Sequence, residues 1–316
     1  MPHVPDPMKI AVLRGGVGRE CEVSLQSGRC VAEALRQGGL EVIESDIRPD
    51  DLAVLDRTDV DVFFVALHGQ FGEDGQLQQI LDDRDLVYTG SGAQASRLAF
   101  DKVASKKRFA ESGVAVAPTV EFQPAADLGR LENQLQTLAD RFVVKPICDG
   151  SSVGVHIVDG PAAALATARK VTRALGDCMI EPFIRGPELT VGVLGRETLP
   201  IIEIRSKTDF YDYHAKYVDD QTEYLFDTVA DENVRSRIHQ AALACFDAVG
   251  CRDFARVDFI LAEDGTPYVL EINTIPGFTT HSLLPKAAAR AGLSMTDLCL
   301  YIARAAFSRK TSTAKR

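Results

Sequence analysis

The chain has 316 residues, 46% apolar and 25% charged, the balance of a soluble globular protein too long for one ordinary core, so two or three compact units are expected. A net charge of −10 argues against nucleic acid as the main partner. Seven scattered cysteines make neither a disulfide framework nor a CxxC metal site and fit a reducing cytoplasm, while no run suits a membrane span and the first seven residues do not resemble a signal peptide.

Residues 9–13 read as a short apolar strand entering Gly15-Gly16-Val17-Gly18, with a helix beyond through Val31, Ala34 and Leu35 that stops at Gly38. Strand, glycine loop and helix suggest a nicotinamide dinucleotide site, but the third glycine of G-x-G-x-x-G is missing. A strand over 40–46 and the buried run 62–67 continue an open parallel α/β sheet, and His68-Gly69 sits at a strand's carboxyl end, where such sheets bind ligands. Gly72-Glu73-Asp74-Gly75 starts another helix, and turn-rich residues 88–92 mark the first boundary.

Asp101-Lys102 opens a helix through Phe109 whose solvated face carries Lys106, Lys107 and Arg108. A strand over 142–146 closes on Lys145-Pro146 and runs into Asp149-Gly150-Ser151-Ser152-Val153-Gly154. There the glycines let backbone N–H groups wrap a phosphate, the hydroxyls add donors and Lys145 adds charge, the competing reading being an ordinary hairpin turn. No P-loop motif occurs. After a helix over 161–175, an apolar strand over 178–184 leads to Gly186-Pro187-Glu188. Glu181 and Glu188 either hold adenine and ribose hydroxyls or are plain surface glutamates. Strands follow at 189–194 and 199–205. The aromatic-rich Phe210-Tyr211-Asp212-Tyr213-His214-Ala215-Lys216-Tyr217 then reads as a lid loop, before a helix over 231–249.

Two alternating runs flank Asp264-Gly265, a hairpin signal. With those two residues as the turn, Asp258 lies opposite Glu271 and Arg256 opposite Asn273, and Val257, Phe259, Leu261, Tyr268, Leu270 and Ile272 share a core face. A three-residue turn with a bulge would instead put Asp258 opposite Leu270. Facing carboxylates destabilise a ladder, so the pair calls for a cation, and an all-oxygen set suits Mg²⁺ or Mn²⁺ together with substrate phosphates. Hydroxyls and turn residues from Thr274 to Leu283 look like substrate wall, and an amphipathic helix over 296–307 ends the fold.

Several motifs occur in order: Glu20-Cys21-Glu22-Val23-Ser24, His68-Gly69 with Gly72-Glu73-Asp74-Gly75, the turn at 88–92 and Asp101-Lys102. Lys145-Pro146 with Gly150-Ser151-Ser152-Val153-Gly154, the lid segment, Arg256-Val257-Asp258, Glu271-Ile272-Asn273-Thr274-Ile275-Pro276-Gly277 and His281-Ser282-Leu283 complete the set. Over residues 9–305 this resembles the D-alanine–D-alanine ligase family of the ATP-grasp superfamily.

The resemblance implies an α/β fold, α+β in parts, with three domains: residues 1–97 with the open parallel sheet, 98–184 with the phosphate loop, and 185–316 with the lid and metal site. ATP would be held by Lys102, Lys145, Ser151, Ser152, Val153, Gly154, Glu181, Phe183, Ile184, Glu188 and Tyr211, and two Mg²⁺ or Mn²⁺ ions by Asp258, Glu271 and Asn273. Glu20 would bind the ammonium of the first D-alanine with His68 close by, and Ser282 and Leu283 the second D-alanine. Glu20, Ser151 and Tyr217 would tie the first domain to the lid. Lys216, Arg256 and the backbone of Gly277 would meet the charge developing as ATP makes an acyl phosphate and the second amine displaces phosphate. A cytoplasmic homodimer with no membrane or nucleic-acid partner is implied.

Close alternatives are a ligase taking D-lactate or D-serine second, which the hydroxyl of Tyr217 argues against, and an inactive nucleotide-binding homologue. Cys21, Ile147-Cys148-Asp149, Pro182 and Leu225-Phe226-Asp227 depart from the family's usual pattern.

Overall fold

The structure, a computed structural model, describes residues 8–205 and 222–313. Among the described residues there are three separate sheets. The first is parallel, in the order β2-β1-β3, from β1 (Lys9–Gly15), β2 (Glu41–Ile47) and β3 (Val62–Val65). Strands β1 and β3 are apolar on both faces because both are covered, while the edge strand β2 is polar and partly exposed. Helix α1 (Cys21–Gln37) buries Val31, Ala32 and Leu35 in the same core as the C-terminal helix. Helix α2 (Gln76–Asp83) packs Leu77 and Leu81 on the opposite face.

Helices α3 (Ala93–Phe100) and α4 (Lys102–Glu111) follow, separated by Asp101, whose carboxylate accepts from the amides of Val103 and Ala104 and so starts α4. Ala99, Phe109 and Val114 join the core of the third sheet. The second sheet is antiparallel, in the order β4-β7-β5-β6, from β4 (Val120–Phe122), β5 (Arg141–Pro146), β6 (His156–Asp159) and β7 (Cys178–Pro182). Helices α5 (Leu128–Gln136) and α6 (Pro161–Leu175) close its core around Phe122, Leu135, Phe142 and Leu165.

The third sheet has six strands: β8 (Glu188–Leu194), β9 (Glu197–Thr198), β10 (Ile202–Arg205), β11 (Glu223–Phe226), β12 (Phe254–Leu261) and β13 (Pro267–Asn273). They run β11-β10-β8-β12-β13, with β9 beside β8. Helix α7 (Glu232–Ala248), capped by Asp231, covers one face with Ile238, Ala242 and Phe246. Helix α8 (Leu283–Arg290) packs Leu284 and Ala287 on the other, and α9 (Met295–Thr313) carries Leu298 and Ile302 across to the first sheet.

Two expectations need correction. Lys106 is not on a solvated face: it is 3% exposed and ion-paired with Glu181, while Lys107 and Arg108 are exposed. The β12–β13 loop is a three-residue turn, not the two-residue turn expected, closed by Ala262 donating to Thr266 at 2.9 Å with Gly265 at φ 78°. The pairs near the turn are therefore offset by one, Phe259 facing Val269 and Ile260 facing Tyr268. A bulge beyond Phe259 and Val269 takes up Leu270 and restores the pairing, so Asp258 does face Glu271 and Arg256 faces Asn273. Val269, not Tyr268 or Leu270, fills the core, and Leu270 turns to the cleft side beside Glu271.

Candidate active site

Two cavities meet along the edge of the third sheet. One, about 460 Å³, lies between the second and third sheets and is walled by Val143, Lys145, Ile157, Phe183, Ile184, Ile260 and Leu270. The other, about 700 Å³, lies where the carboxyl end of the first sheet faces the third, and is bordered by Glu20, His68, Glu73, Arg256, Gly277, Ser282 and Leu283. Lys102, Asp149, Gly150, Glu188, Asp258 and Glu271 border both. A molecule in either cavity therefore reaches the facing carboxylates of Asp258 and Glu271.

Asp258 is 5% exposed and heavily engaged. Arg256, two residues earlier on the same face of β12, donates to it through Nε at 2.9 Å and a terminal nitrogen at 2.7 Å, and Thr190 from β8 donates at 2.6 Å. Glu271 has Lys102 Nζ at 3.2 Å. Asn273 lies two pairs along the ladder, opposite Arg256, and its side-chain oxygen accepts from Ile275 N at 3.0 Å. Among the described residues no group of three or more His, Cys, Asp or Glu could hold a metal. Two facing carboxylates and an amide nonetheless fit Mg²⁺, which takes few protein oxygens when phosphates supply others. Arg256 and Lys102 answer the negative charge here.

The glycine-serine loop turns tightly between β5 and β6. Ser151, Ser152 and Gly154 all have left-handed φ values of 52°, 58° and 69°. At Gly154 an added Cβ would come within 2.3 Å of Leu175 Cδ1 and 3.1 Å of Pro146 Cγ, and its φ of 69° strains any other residue, so the position favours glycine. Ser152 and Val153 border the smaller cavity, and the Ser151 hydroxyl donates across to Glu20 Oε1. Behind the loop, Glu181 on β7 is buried against Lys145 Nζ at 2.9 Å, Lys106 Nζ and Thr119 Oγ1 at 2.9 Å. Burial alone would push this carboxyl up, but Lys145 and Lys106 outweigh it and hold it at about 2. Lys102 Nζ donates to the Asp149 carbonyl, pinning the loop's approach. Phe183 and Ile184 border the same cavity, and the Phe183 amide is used by the Arg141 carbonyl at 2.9 Å.

At the first sheet, Glu20 precedes α1 without capping it. Gly69 lies so close that a Cβ there would sit 2.1 Å from Glu20 Oε2. His68 borders the cavity, yet both its ring nitrogens are taken: Nδ1 lies 2.9 Å from the Ile275 carbonyl and Nε2 3.0 Å from Ser27 Oγ. A carbonyl only accepts, so Nδ1 carries the proton, and burial holds the ring neutral with its pKa down at about 4. Glu73, which sequence reasoning quoted only as part of a glycine motif, also borders this cavity. Its carboxyl accepts from Gly69 N at 2.6 Å and Ile275 N at 3.3 Å. Burial, and then the Glu20 carboxylate, push it up to about 8.

These two groups titrate in opposite senses. Glu73 holds a proton in the folded state that the unfolded chain releases above 4.5, so its contribution is lost as pH rises through about 8. His68, depressed from 6.5 to about 4, gives stability that grows with pH over that lower range. The melting temperature is therefore expected to fall between about pH 6.5 and 8, and Glu73→Gln to flatten that fall; an unchanged slope in thermal melts would contradict the assignment.

Ser282 stands at the start of α8, its hydroxyl 3.0 Å from Thr279 N and 2.9 Å from Thr279 Oγ1, and Leu283 opens the helix. Gly277 faces Ser282 so closely that a Cβ would come within 2.6 Å of its Oγ. Thus Glu20, His68, Lys102, Lys145, Ser151 to Gly154, Glu181, Phe183, Ile184, Glu188, Arg256, Asp258, Glu271, Asn273, Gly277, Ser282 and Leu283 all border the joined cavities or the loop between them. Tyr211, Lys216 and Tyr217 lie outside the described residues.

Comparison with known proteins agrees with this geometry. Residues 109–303 match the family model for the D-ala D-ala ligase C-terminus and residues 50–91 that for its N-terminus. The D-alanine–D-alanine ligase of Anaeromyxobacter dehalogenans is 44% identical over 291 residues, 92% of this chain and 94% of that protein. The crystal structure of the Bacillus anthracis D-alanine–D-alanine ligase superposes with a TM-score of 0.86 at 34% identity, covering 97% of this chain and 99% of that one. Its complex with ATP gives 0.84 at 33% identity with the same coverage. The fold, the joined cavities and these matches together make this chain a member of the D-alanine–D-alanine ligase family of ATP-grasp enzymes.

Proposed function

We propose that this protein is an ATP-dependent ligase that joins two D-alanine molecules into D-alanyl-D-alanine for peptidoglycan precursors, releasing ADP and phosphate. The observation that carries the reading is the junction of the two cavities at Lys102, Asp258 and Glu271. A phosphoryl donor in one cavity and a carboxylate acceptor in the other would meet there. The backbone of Phe183 and Ile184 meets adenine near Glu181, Glu188 binds ribose, and Lys102, Lys145 and Ser151 to Gly154 hold the phosphates; Tyr211 is assigned to the same site by resemblance. Asp258, Glu271 and Asn273 would hold two Mg²⁺ or Mn²⁺ ions, which would neutralise phosphate charge.

Glu20 receives the ammonium of the first D-alanine, with Glu73 beside it and His68 fixing the wall through Ile275 and Ser27. The carboxylate of this D-alanine attacks the γ-phosphoryl group of ATP, making an acyl phosphate and releasing ADP. Ser282 and Leu283 hold the carboxylate of the second D-alanine, whose neutral amine attacks the acyl carbon. Arg256 and the Gly277 backbone meet the oxyanion, and phosphate departs with the carbonyl restored. Lys216 and Tyr217 are assigned to the lid side by resemblance, Tyr217 with Glu20 and Ser151. No side-chain nucleophile is needed. Residues 1–97, 98–184 and 185–316 act as the three units, in a cytoplasmic homodimer.

Phosphate release measured across D-alanine, D-serine and D-lactate in the presence of ATP tests the reading. D-alanine is expected to give the fastest turnover, with D-alanyl-D-alanine as product. Faster turnover with D-lactate at neutral pH would move the assignment to a depsipeptide ligase, and ATP binding without any phosphate release would make the chain an inactive homologue.

A further inference from the structure

Lys106 lies four residues beyond Lys102 on α4, a spacing that turns both ammonium groups to one side of the helix. Their surroundings differ. Lys102 borders both cavities and Lys106 borders neither. Lys106 instead ends on Glu181 Oε1, an oxygen that also accepts from Thr119 Oγ1 at 2.9 Å. With Oε1 occupied from behind, Oε2 is the oxygen left facing Lys145, whose Nζ is 2.9 Å away. Glu181 and Lys145 both border the smaller cavity.

Charge counting gives this arrangement a consequence. Two lysines share one carboxylate. With Lys106 present, Glu181 is balanced from inside the protein, and the positive charge of Lys145 remains for an anion in the cavity. Without it, Glu181 would neutralise Lys145 and draw it away. A buried ion pair is often no more stabilising than apolar residues of like volume, so stability does not require a charge here.

We propose that Lys106 is a positioning residue for the nucleotide: it fixes Glu181 through Oε1, so that Oε2 accepts from the exocyclic amine of adenine while Lys145 turns its charge to the phosphates. This rests on the smaller cavity being the ATP site. Burial brings Lys106 down to about 8 against the pull of Glu181, which leaves it charged at neutral pH. The charged groups around Glu181 are Lys106 from α4 and Lys145 from β5, with Glu271 from β13 acting on Lys106 at longer range.

The test compares full-length wild type with Lys106→Met, Lys106→Arg and Thr119→Val. ATP affinity is read by calorimetry, apart from turnover. In Lys106→Met the Kd for ATP is expected to rise about tenfold, with the KM for D-alanine unmoved and the preference for ATP over GTP narrowed. Losing one cation raises the Glu181 pKa, so the acid limb of ATP binding shifts to higher pH. Lys106→Arg is expected to stay within about threefold of wild type in ATP affinity, since the charge persists. A lower melting temperature in Lys106→Met with ATP affinity, nucleotide preference and pH limb unchanged would make Lys106 merely structural and overturn the proposal. Should Lys106→Met not fold, Thr119→Val decides: a rise of about threefold in ATP Kd supports the proposal and no change overturns it. Lys106-dependent ATP binding without phosphate release would sink the ligase reading alone. Normal D-alanine ligation with Lys106→Met unaffected would sink this proposal alone.

Discussion

Replacing Glu271 by Gln is expected to lower kcat by about a thousandfold while leaving the fold intact. The substitution keeps the size of the side chain and its place on β13 opposite Asp258, so backbone pairing is untouched. What changes is charge at the junction of the cavities: Lys102 Nζ loses the carboxylate 3.2 Å away, and one of the two anionic oxygen donors for Mg²⁺ is gone. Metal-based stabilisation of a transferring phosphoryl group is worth several kcal/mol, and each 1.36 kcal/mol is tenfold in rate, which gives the estimate of about a thousandfold. Stability should hardly move, because the Glu271 side chain is 26% exposed and the amide can still face the cavity. Phosphate release and a thermal melt check both halves. Activity within about threefold of wild type would remove Glu271 from the metal site, since no bound divalent ion tolerates loss of a principal anionic ligand so lightly.

The pairing of Asp258 with Glu271 follows from the sequence even with the turn length misread, because two one-residue shifts offset each other. The sequence does not announce that the turn has three residues or that Leu270 bulges. Each shifts the register by one, and they cancel before the ladder reaches Glu271. Between turn and bulge the error remains, so Tyr268 and Leu270 were expected in the core that Val269 fills. A bulge is a backbone event within the β12–β13 pair, and no side-chain pattern in β13 alone carries it.

Lys106 shows the other limit. Its four-residue spacing from Lys102 was visible, but a lysine beside Lys107 and Arg108 reads as surface by type. Only Glu181, 75 residues later, makes burial tolerable. Glu73 was likewise hidden, since its carboxyl is lodged between the amide of nearby Gly69 and that of Ile275, which is 202 residues away. The glycine-serine loop and the substrate wall were legible for the opposite reason: their function requires contiguous residues with special backbone freedom, and contiguous signals can be read directly.

Arg256→Met should destabilise the protein and inactivate it, and the two effects can be separated. Arg256 binds Asp258 through two parallel hydrogen bonds of 2.9 and 2.7 Å, with side-chain exposures of 12% and 7%. Removing the guanidinium leaves Asp258 with Thr190 as its remaining neutral donor among the described residues. Breaking one partner from a buried pair costs about 3 kcal/mol, because the remaining charge stays out of water. The melting temperature should fall by several degrees. Adding Asp258→Asn should restore most of that loss, since the orphaned charge disappears, while activity stays low in both because the oxyanion has lost its arginine. Arg256→Lys should be intermediate in stability, one ammonium being unable to serve both carboxylate oxygens in the same plane. Mg²⁺ should raise the melting temperature of Arg256→Met more than that of wild type, the bare carboxylates having more to gain from a cation. If the double variant melts no higher than the single one, the destabilisation arises elsewhere than in the uncompensated Asp258. Arg256 would then owe its place on β12 to packing rather than to the charge it balances at the heart of the cleft.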